Sequence, residues 1–494
     1  MTARWTQAPE HAGHPRRLRR LILLAGLAGI FAASATAGWA VADPAAFGAA
    51  VQGIAGASPA AAGPPGAVAP PPGSGASAAA GEAASPTPAP ALAATTAPTT
   101  TAPTALPSPP TAAPPTLAPP VPRAMAARLD RALARAQKAL LLPGVQATVI
   151  FADGSTWTGT LGLADVDAGR PVEAATPFAA ASVTKTFTSA LILRYVDRGL
   201  IALDDPLARW LPEWPNARKI TVRMLLNHTS GIPDFFRNVK LDLALNKDMK
   251  RAWTAAEVLD GYVPKGSVFA PGTGWSYSNT NYLLLGEVAA AVGGAPWEEL
   301  VRRELIEPLG LDSTYVQAAE APPAPPALAY RIIDGFRGPT PQARTDGSTV
   351  VPFRSVVTAA GSAGALASTS GDLARWARAL YGGRTVVSAA MRREMLTFVK
   401  AYAYGLGTAY GLGVSRVRFD GHAAFGHTGA LAGMRAAIRH FPTEKVTIAV
   451  LFNRETFVGD DVVRILARTL FPKPAASPSP PASPATSPSP TPAP

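Results

Sequence analysis

Three short stretches of this 494-residue chain carry side chains suited to acyl transfer. The first is Ser182-Val183-Thr184-Lys185. A serine hydroxyl attacks poorly unless a neighbour takes its proton, and a lysine three residues on lies on the same helical face. Lysine serves as a base only where desolvation or nearby positive charge lowers its pKa. A helix start also aims backbone N–H groups at developing negative charge. The second stretch is Tyr277-Ser278-Asn279 in a polar run after the Pro271-Gly272 turn. There a tyrosine can relay a proton and an asparagine can hydrogen-bond a substrate amide. The third, His427-Thr428-Gly429, lies between two expected strands. Thr428 offers a hydroxyl and His427 a positive or hydrogen-bonding group, while Gly429 lets a substrate backbone lie close. Taken singly, each has an ordinary reading: a capped helix start, a loop tyrosine beside a capping Asn, and a turn between strands.

Together and in this order, the three stretches resemble the serine beta-lactamase and penicillin-binding-protein superfamily, in its beta-lactamase-related branch. That branch holds class C beta-lactamases, serine D-Ala-D-Ala carboxypeptidases, D-aminopeptidases and some esterases. The resemblance spans about residues 125–470 and extends to LLNHTSGIPDFF, FAPGTGWSYSNTNYLLLGEV, EPLGLDSTY and AAGSAGALASTSGDLARWARAL. It implies that Ser182 is acylated, that Lys185 is general base or electrostatic partner, and that Tyr277 carries protons to the leaving group and from the attacking water. It further implies that Asn279, His427, Thr428 and Gly429 bind substrate, and that the N–H groups of Ser182 and Ala430 form the oxyanion hole. Whether Lys185 or Tyr277 takes the first proton stays open. Class C beta-lactamases usually carry Lys where this chain has His427. The His-Thr-Gly form is more similar to a serine carboxypeptidase or a related esterase. The expected activity is therefore cleavage of D-alanyl peptides, with an esterase, a beta-lactamase and a non-catalytic envelope module as alternatives.

The elements that must position these residues follow from periodicity. Leu129, Leu133, Ala136 and Leu140 predict a helix over 123–140. Two strands are expected around Asp153-Gly154, a helix over 182–198 ending at Gly199, and a mainly helical stretch over 203–311. Another helix is expected over 371–381, capped from Ser368, Thr369, Ser370 or Asp372. Strands dominate from Tyr410 onward, and 460–471 closes as a helix. The sheet must then be assembled from both ends of the chain. The fold class is α+β, beta-lactamase/transpeptidase-like, with an antiparallel sheet flanked by helices and an inserted, mainly helical sub-domain.

The rest of the chain sets the context. Residues 43–122 and 473–494 are rich in Ala, Pro, Thr and Ser and have little to bury, so they read as a disordered linker and tail around a 123–472 hydrolase domain. Residues 1–20 are a basic leader ending in RRLRR. Residues 21–42 are uncharged and suit either a signal peptide, with Ala40-Val41-Ala42 before the cut, or a membrane anchor. Both readings place the domain outside the cytoplasm, secreted or membrane-anchored. The net charge is +12; six of the 45 basic and three of the 33 acidic residues lie outside 123–472, leaving that region at +9. No run of Lys and Arg with interleaved aromatics accompanies that charge, so nucleic acid is not expected as a partner. With no cysteine in the chain, disulfides and thiolate chemistry are excluded. No cofactor and no metal are expected. His228 reads as a structural loop histidine, His422 and His427 make a poor metal pair, and Gly361-Ser362-Ala363-Gly364 reads as a turn walling the pocket. The expected form is a monomer acting on a small molecule or a peptidoglycan peptide.

Overall fold

In the computed structural model, the described residues are 118–335, 338–383, 385–401, 408–455 and 459–472. The basic leader, the apolar segment 21–42, the linker as far as residue 117 and the tail lie outside them. Among the described residues, no helix is long and apolar enough to cross a membrane.

Helix α1 (Arg123–Ala139) buries Leu129, Ala132, Leu133 and Ala136 on one face, the face its spacing predicts. It leads into a hairpin of β1 (Gly144–Ile150) and β2 (Thr156–Asp165). Asp153 closes that turn by accepting hydrogen bonds from the Ser155 N–H and hydroxyl at 2.9 and 2.7 Å, and Gly154 takes φ +90°. From the other end of the chain come β11 (Ser415–Phe419), β12 (His422–Leu431), β13 (Met434–Phe441) and β14 (Val446–Phe452), then a closing helix over Gly459–Leu470. β14 pairs antiparallel with β1, Val145 opposite Phe452, and so joins the two ends of the chain. With β3 (Arg170–Pro171), β9 (Val399–Lys400) and β10 (Ala409–Tyr410) the sheet has nine strands, in the order β3-β2-β1-β14-β13-β12-β11-β10-β9.

Strands β1, β13 and β14 are buried at every position, because helices cover both faces of the sheet. Val450 and Phe452 pack with Leu129, Leu133 and Leu466 on one side. Leu451 and Ala449 pack with Phe187, Leu191 and Trp376 on the other. That second layer contains α2 (Thr184–Asp197) and α3 (Ser370–Ala377), the latter capped by Thr369, whose hydroxyl accepts from the Asp372 N–H at 3.3 Å. The expected C-cap after α2 is present, with Gly199 at φ +70°. The middle of the chain is the helical part foreseen. It also holds strands that the periodicity does not reveal, a hairpin of β6 (Ala329–Gly335) and β7 (Gly338–Arg344) and a small sheet built from β4 (Phe178–Ala179), β5 (Tyr315–Val316) and β8 (Leu366–Ser368). Most of those pieces are two or three residues long, and one arm of the hairpin carries prolines in GPTPQAR, so they read as loops.

Candidate active site

Ser182 sits on a single 3₁₀ turn, Ala181–Val183, immediately before α2. The turn is anchored to the small sheet. Phe178 and Ala179 pair with Ser368 and Ala367, and the Ala180 N–H donates to Leu366 O at 2.8 Å. Ala181 takes φ +48°, the left-handed region, in a residue with a Cβ. Such a conformation costs on the order of 1 kcal/mol and persists only where the surroundings enforce it.

One helical turn on, Lys185 is wholly buried. Its ammonium reaches three oxygens: Asn279 Oδ1 at 2.7 Å, Ala363 O at 2.7 Å and Ser182 Oγ at 3.1 Å. All three are neutral. Burial pulls the Lys185 pKa down to about 7, opposed by the charge of Asp234. That carboxylate is kept one group away. Asn279 Nδ2 donates to both Asp234 oxygens, at 3.1 and 3.0 Å, and the Asn279 N–H donates to Oδ1 at 3.2 Å. The removal of Asp234 from water raises its own pKa, against the pull of the Asn279 hydrogen bonds and of Lys185. The Asn279 side chain is therefore a spacer between an ammonium and a carboxylate. The amide expected to meet substrate has its oxygen on Lys185 and its nitrogen on Asp234.

Tyr277 lies beside this group, its ring centroid 5.0 Å from Lys185 Nζ. Asn279 opens the helix Asn279–Gly293. The loop before it is stitched to 233–235. The Ser278 and Thr280 hydroxyls donate to Pro233 O, and the Phe235 N–H donates to Thr280 Oγ1. His228 is the structural loop histidine expected, and it packs against the site. It is wholly buried at φ +64°, and its ring lies 4.4 Å from the Tyr277 ring. Its Nδ1 accepts from the Ser278 N–H at 3.3 Å, the residue after Tyr277. Burial and the Lys185 charge hold His228 neutral, well below the ordinary histidine pKa.

The third stretch is inside a strand, not between two. β11 pairs with β12 only over 422–426, so 427–431 pairs with β13 on one side and turns its other edge to the nucleophile turn. A Cβ on Gly429 would come within 2.2 Å of Ala180 O and 3.2 Å of the Ala181 Cβ. Gly429 is needed for this close approach of the chain to itself. Of the two readings of His427, positive group or hydrogen-bonding group, its surroundings favour the second. It is wholly buried, and burial first, then the Lys185 charge, takes its pKa to about 3. It is a neutral hydrogen-bonding group and not a cation.

A neutral-capable lysine bonded to a half-buried serine, beside a tyrosine and a strand segment beyond its β11 ladder, is equipment for acyl transfer. The family model described as Beta-lactamase matches residues 129–471. The chain belongs to the Beta-lactamase family. Among relatives in that family, penicillin-binding protein 4 of Amycolatopsis lactamdurans is 29% identical over 327 residues, covering 63% of this chain and 81% of that protein. A D-aminopeptidase of Cereibacter sphaeroides is 27% identical over 344 residues, 69% of this chain and 63% of the relative. A D-stereospecific amidohydrolase from Streptomyces sp. superposes with a TM-score of 0.58 at 28% identity, covering 70% of this chain and 98% of that one. As a member of the Beta-lactamase family with these relatives, the protein is a serine hydrolase. Reasoning from the sequence missed three groups in its site. Asp234 looks like an ordinary cap, and it does accept from the Phe236 N–H. Ala363 contributes only a backbone carbonyl, although its Gly-rich turn was singled out as a pocket wall. Tyr410 reads as the start of a strand.

Proposed function

We propose that the protein forms an acyl-enzyme on Ser182 with D-configured amide substrates, D-alanyl peptides of the cell envelope first among them, and releases the acyl group to water. The observation that carries this is the hydrogen-bond pattern of Lys185. Its two 2.7 Å bonds go to oxygens that only accept, and the 3.1 Å bond goes to a hydroxyl that can also donate. When Lys185 loses a proton, its two remaining N–H groups stay on Asn279 and Ala363, and the lone pair falls to Ser182. Lys185 then takes the Ser182 proton as Oγ bonds to the substrate carbonyl carbon. The carbonyl oxygen becomes an oxyanion held by the N–H groups of Ser182 and Ala430. The C–N bond breaks as Tyr277 passes a proton to the leaving amine, and a water molecule reverses the sequence to free Ser182. Thr428, on the part of β12 that faces the Ser182 turn, hydrogen-bonds the substrate in this reading.

Support for a D-configured substrate comes from what the relatives are named for: a D-aminopeptidase and a D-stereospecific amidohydrolase. The apolar segment 21–42 supports a site of action outside the cytoplasm. The test is intact mass of the protein after exposure to benzylpenicillin, with Ser182→Ala alongside, followed by hydrolysis assays on a D-alanyl-D-alanine peptide and D-phenylalanine amide. A lasting adduct absent from Ser182→Ala, together with D-substrate turnover, is expected. Turnover of neither D-substrate, with small esters cleaved instead, would replace this reading with an esterase.

A further inference from the structure

Ser415 to Gly426 is the last pair of the β11–β12 ladder, and His427 is the first residue beyond it. From there the pairing of β11 with β12 stops, on the side that faces the nucleophile turn. At that point a side chain takes over from the ladder: the hydroxyl of Tyr410 lies 2.7 Å from His427 Nε2. The other ring nitrogen, Nδ1, lies 2.6 Å from Thr428 O. A carbonyl oxygen only accepts, so Nδ1 carries the proton, Nε2 presents its lone pair, and Tyr410 is the donor. Both side chains are wholly buried.

Tyr410 also reaches the other half of the site. Its ring centroid is 4.8 Å from that of His228, which in turn is 4.4 Å from that of Tyr277. One file of rings, Tyr410–His228–Tyr277, thus runs from this part of β12 to the proposed proton carrier. Two hydrogen bonds leave His427 no freedom to turn, and its backbone leads directly into Thr428, Gly429 and Ala430.

We propose that Tyr410 is a positioning residue: by donating to His427 Nε2 it fixes the imidazole as the Nδ1–H tautomer and holds the unladdered edge of β12, with the Thr428 hydroxyl and the Ala430 N–H, against the Ser182 turn. The rate effect rests on the acyl-enzyme reading above, whereas the tautomer does not. The groups whose charge or polarity acts on this imidazole are Lys185 from α2, Arg439 from β13, Tyr277 and His228 from the two loops, and Tyr410 itself. Lys185 and Arg439 both oppose protonation, and a donor on Nε2 opposes it further by stabilising the neutral ring.

The experiment is Tyr410→Phe, which keeps the ring and removes one oxygen, read by imidazole ¹⁵N shifts and by steady-state kinetics. The chain has six histidines, so His427→Gln assigns the signal by its loss. In the parent protein His427 should show the Nδ1–H pattern, unchanged between pH 5 and 8. In Tyr410→Phe the pattern should become a mixture of tautomers, protonation should begin at higher pH than in the parent, and kcat should fall roughly tenfold with KM within about twofold, the size of one lost buried hydrogen bond. His427→Gln, whose amide oxygen can still accept from Tyr410, should retain more activity than His427→Leu, which cannot. An unchanged tautomer in Tyr410→Phe overturns the proposal, as does a changed tautomer with kcat intact. If Ser182→Ala shows that the catalytic reading is wrong, the ¹⁵N pattern still decides the tautomer.

Discussion

Two of the cations buried in this domain, Arg439 and Lys185, have opposite consequences. Arg439, 1% exposed, meets Asp460 directly: Nε and Nη2 donate to its two oxygens, each at 2.8 Å. Lys185, 0% exposed, meets only neutral oxygens, and its nearest carboxylate, Asp234, stands behind the Asn279 amide. A charge taken from water is tolerated when a counter-charge touches it with good geometry. The first pair obeys that rule and fastens the closing helix to β13. The second breaks it by one side chain, and this brings the lysine to about 7, where it can release a proton. The contrast shows how a fold can hold one ammonium as structure's exception and one guanidinium as its rule.

The strongest way to break this comparison is to remove each cation's defining feature. Lys185→Met should lower kcat/KM by roughly 10³-fold or more, since neither base nor serine partner remains. The same change should raise thermal stability, by about 1–3 kcal/mol, because a costly buried amine gives way to an apolar side chain of similar length. Asp460→Asn should do the reverse: stability should fall by about 3–5 kcal/mol as Arg439 loses its counter-charge, with catalysis by the remaining folded protein little changed. Denaturant melts of the two variants check both halves. If Lys185→Met is destabilising by more than 1 kcal/mol, the lysine is structural and the contrast fails.

The same depression carries a sign for stability. Between about pH 7 and the ordinary lysine value of 10.5, the unfolded chain binds a proton at Lys185 that the folded chain has released. Stability contributed by this group therefore rises with pH across that window and is lowest beneath it. Lys185→Met should flatten the pH dependence of the melting temperature there, and an unflattened profile would count against the assignment.

What could be read in the residues themselves divides along the same line. Ser182 and Lys185 were legible because their relation is local, three positions on one helical turn. The two-ended sheet was legible because β1, β2 and β11 to β14 carry strong apolar patterns with turn residues between them. Asp234 was not, since its effect reaches Lys185 only through Asn279, and a cap before Phe235 is what an aspartate there ordinarily is. The charge of His427 was left open for a similar reason. Its residue type allows a cation, and only its depth and the nearby ammonium forbid one. Gly429 was marked for a close approach of substrate, and the approach of Ala180 to it from across the fold is one that no spacing along the chain discloses.

A smaller change sharpens the comparison by moving the counter-charge inward. Asn279→Asp puts a carboxylate where the amide oxygen touches Lys185. The new group and Asp234 would share a proton, and the remaining negative charge would lie against the ammonium. The Lys185 pKa should rise by about 1–3 units, so that at pH 7 less of the amine is free and kcat/KM drops about 10- to 100-fold. Because only the free amine can act as base, the acid limb of the pH–rate profile should move up by the same interval, and much of the rate should return near pH 9. A uniform loss at every pH would mean that Asn279 acts by geometry alone.

The gentlest change is Asp234→Asn. Asp234 is the one influence that raises the Lys185 pKa, so its neutralisation should let burial act unopposed and carry that pKa below about 7. The Asn side chain keeps an oxygen to accept from Asn279, which preserves the spacer. The acid limb should then shift to lower pH. The rate at pH 6 should hold or increase relative to the parent, while at pH 8, where the amine is already mostly free, it should stay within about threefold. A pH–rate profile of kcat/KM on a D-amino-acid amide measures this. If the limb stays in place while the rate falls everywhere, Asp234 acts only by holding Asn279. If the limb moves down, the carboxylate acts through its charge, at the distance that Asn279 sets.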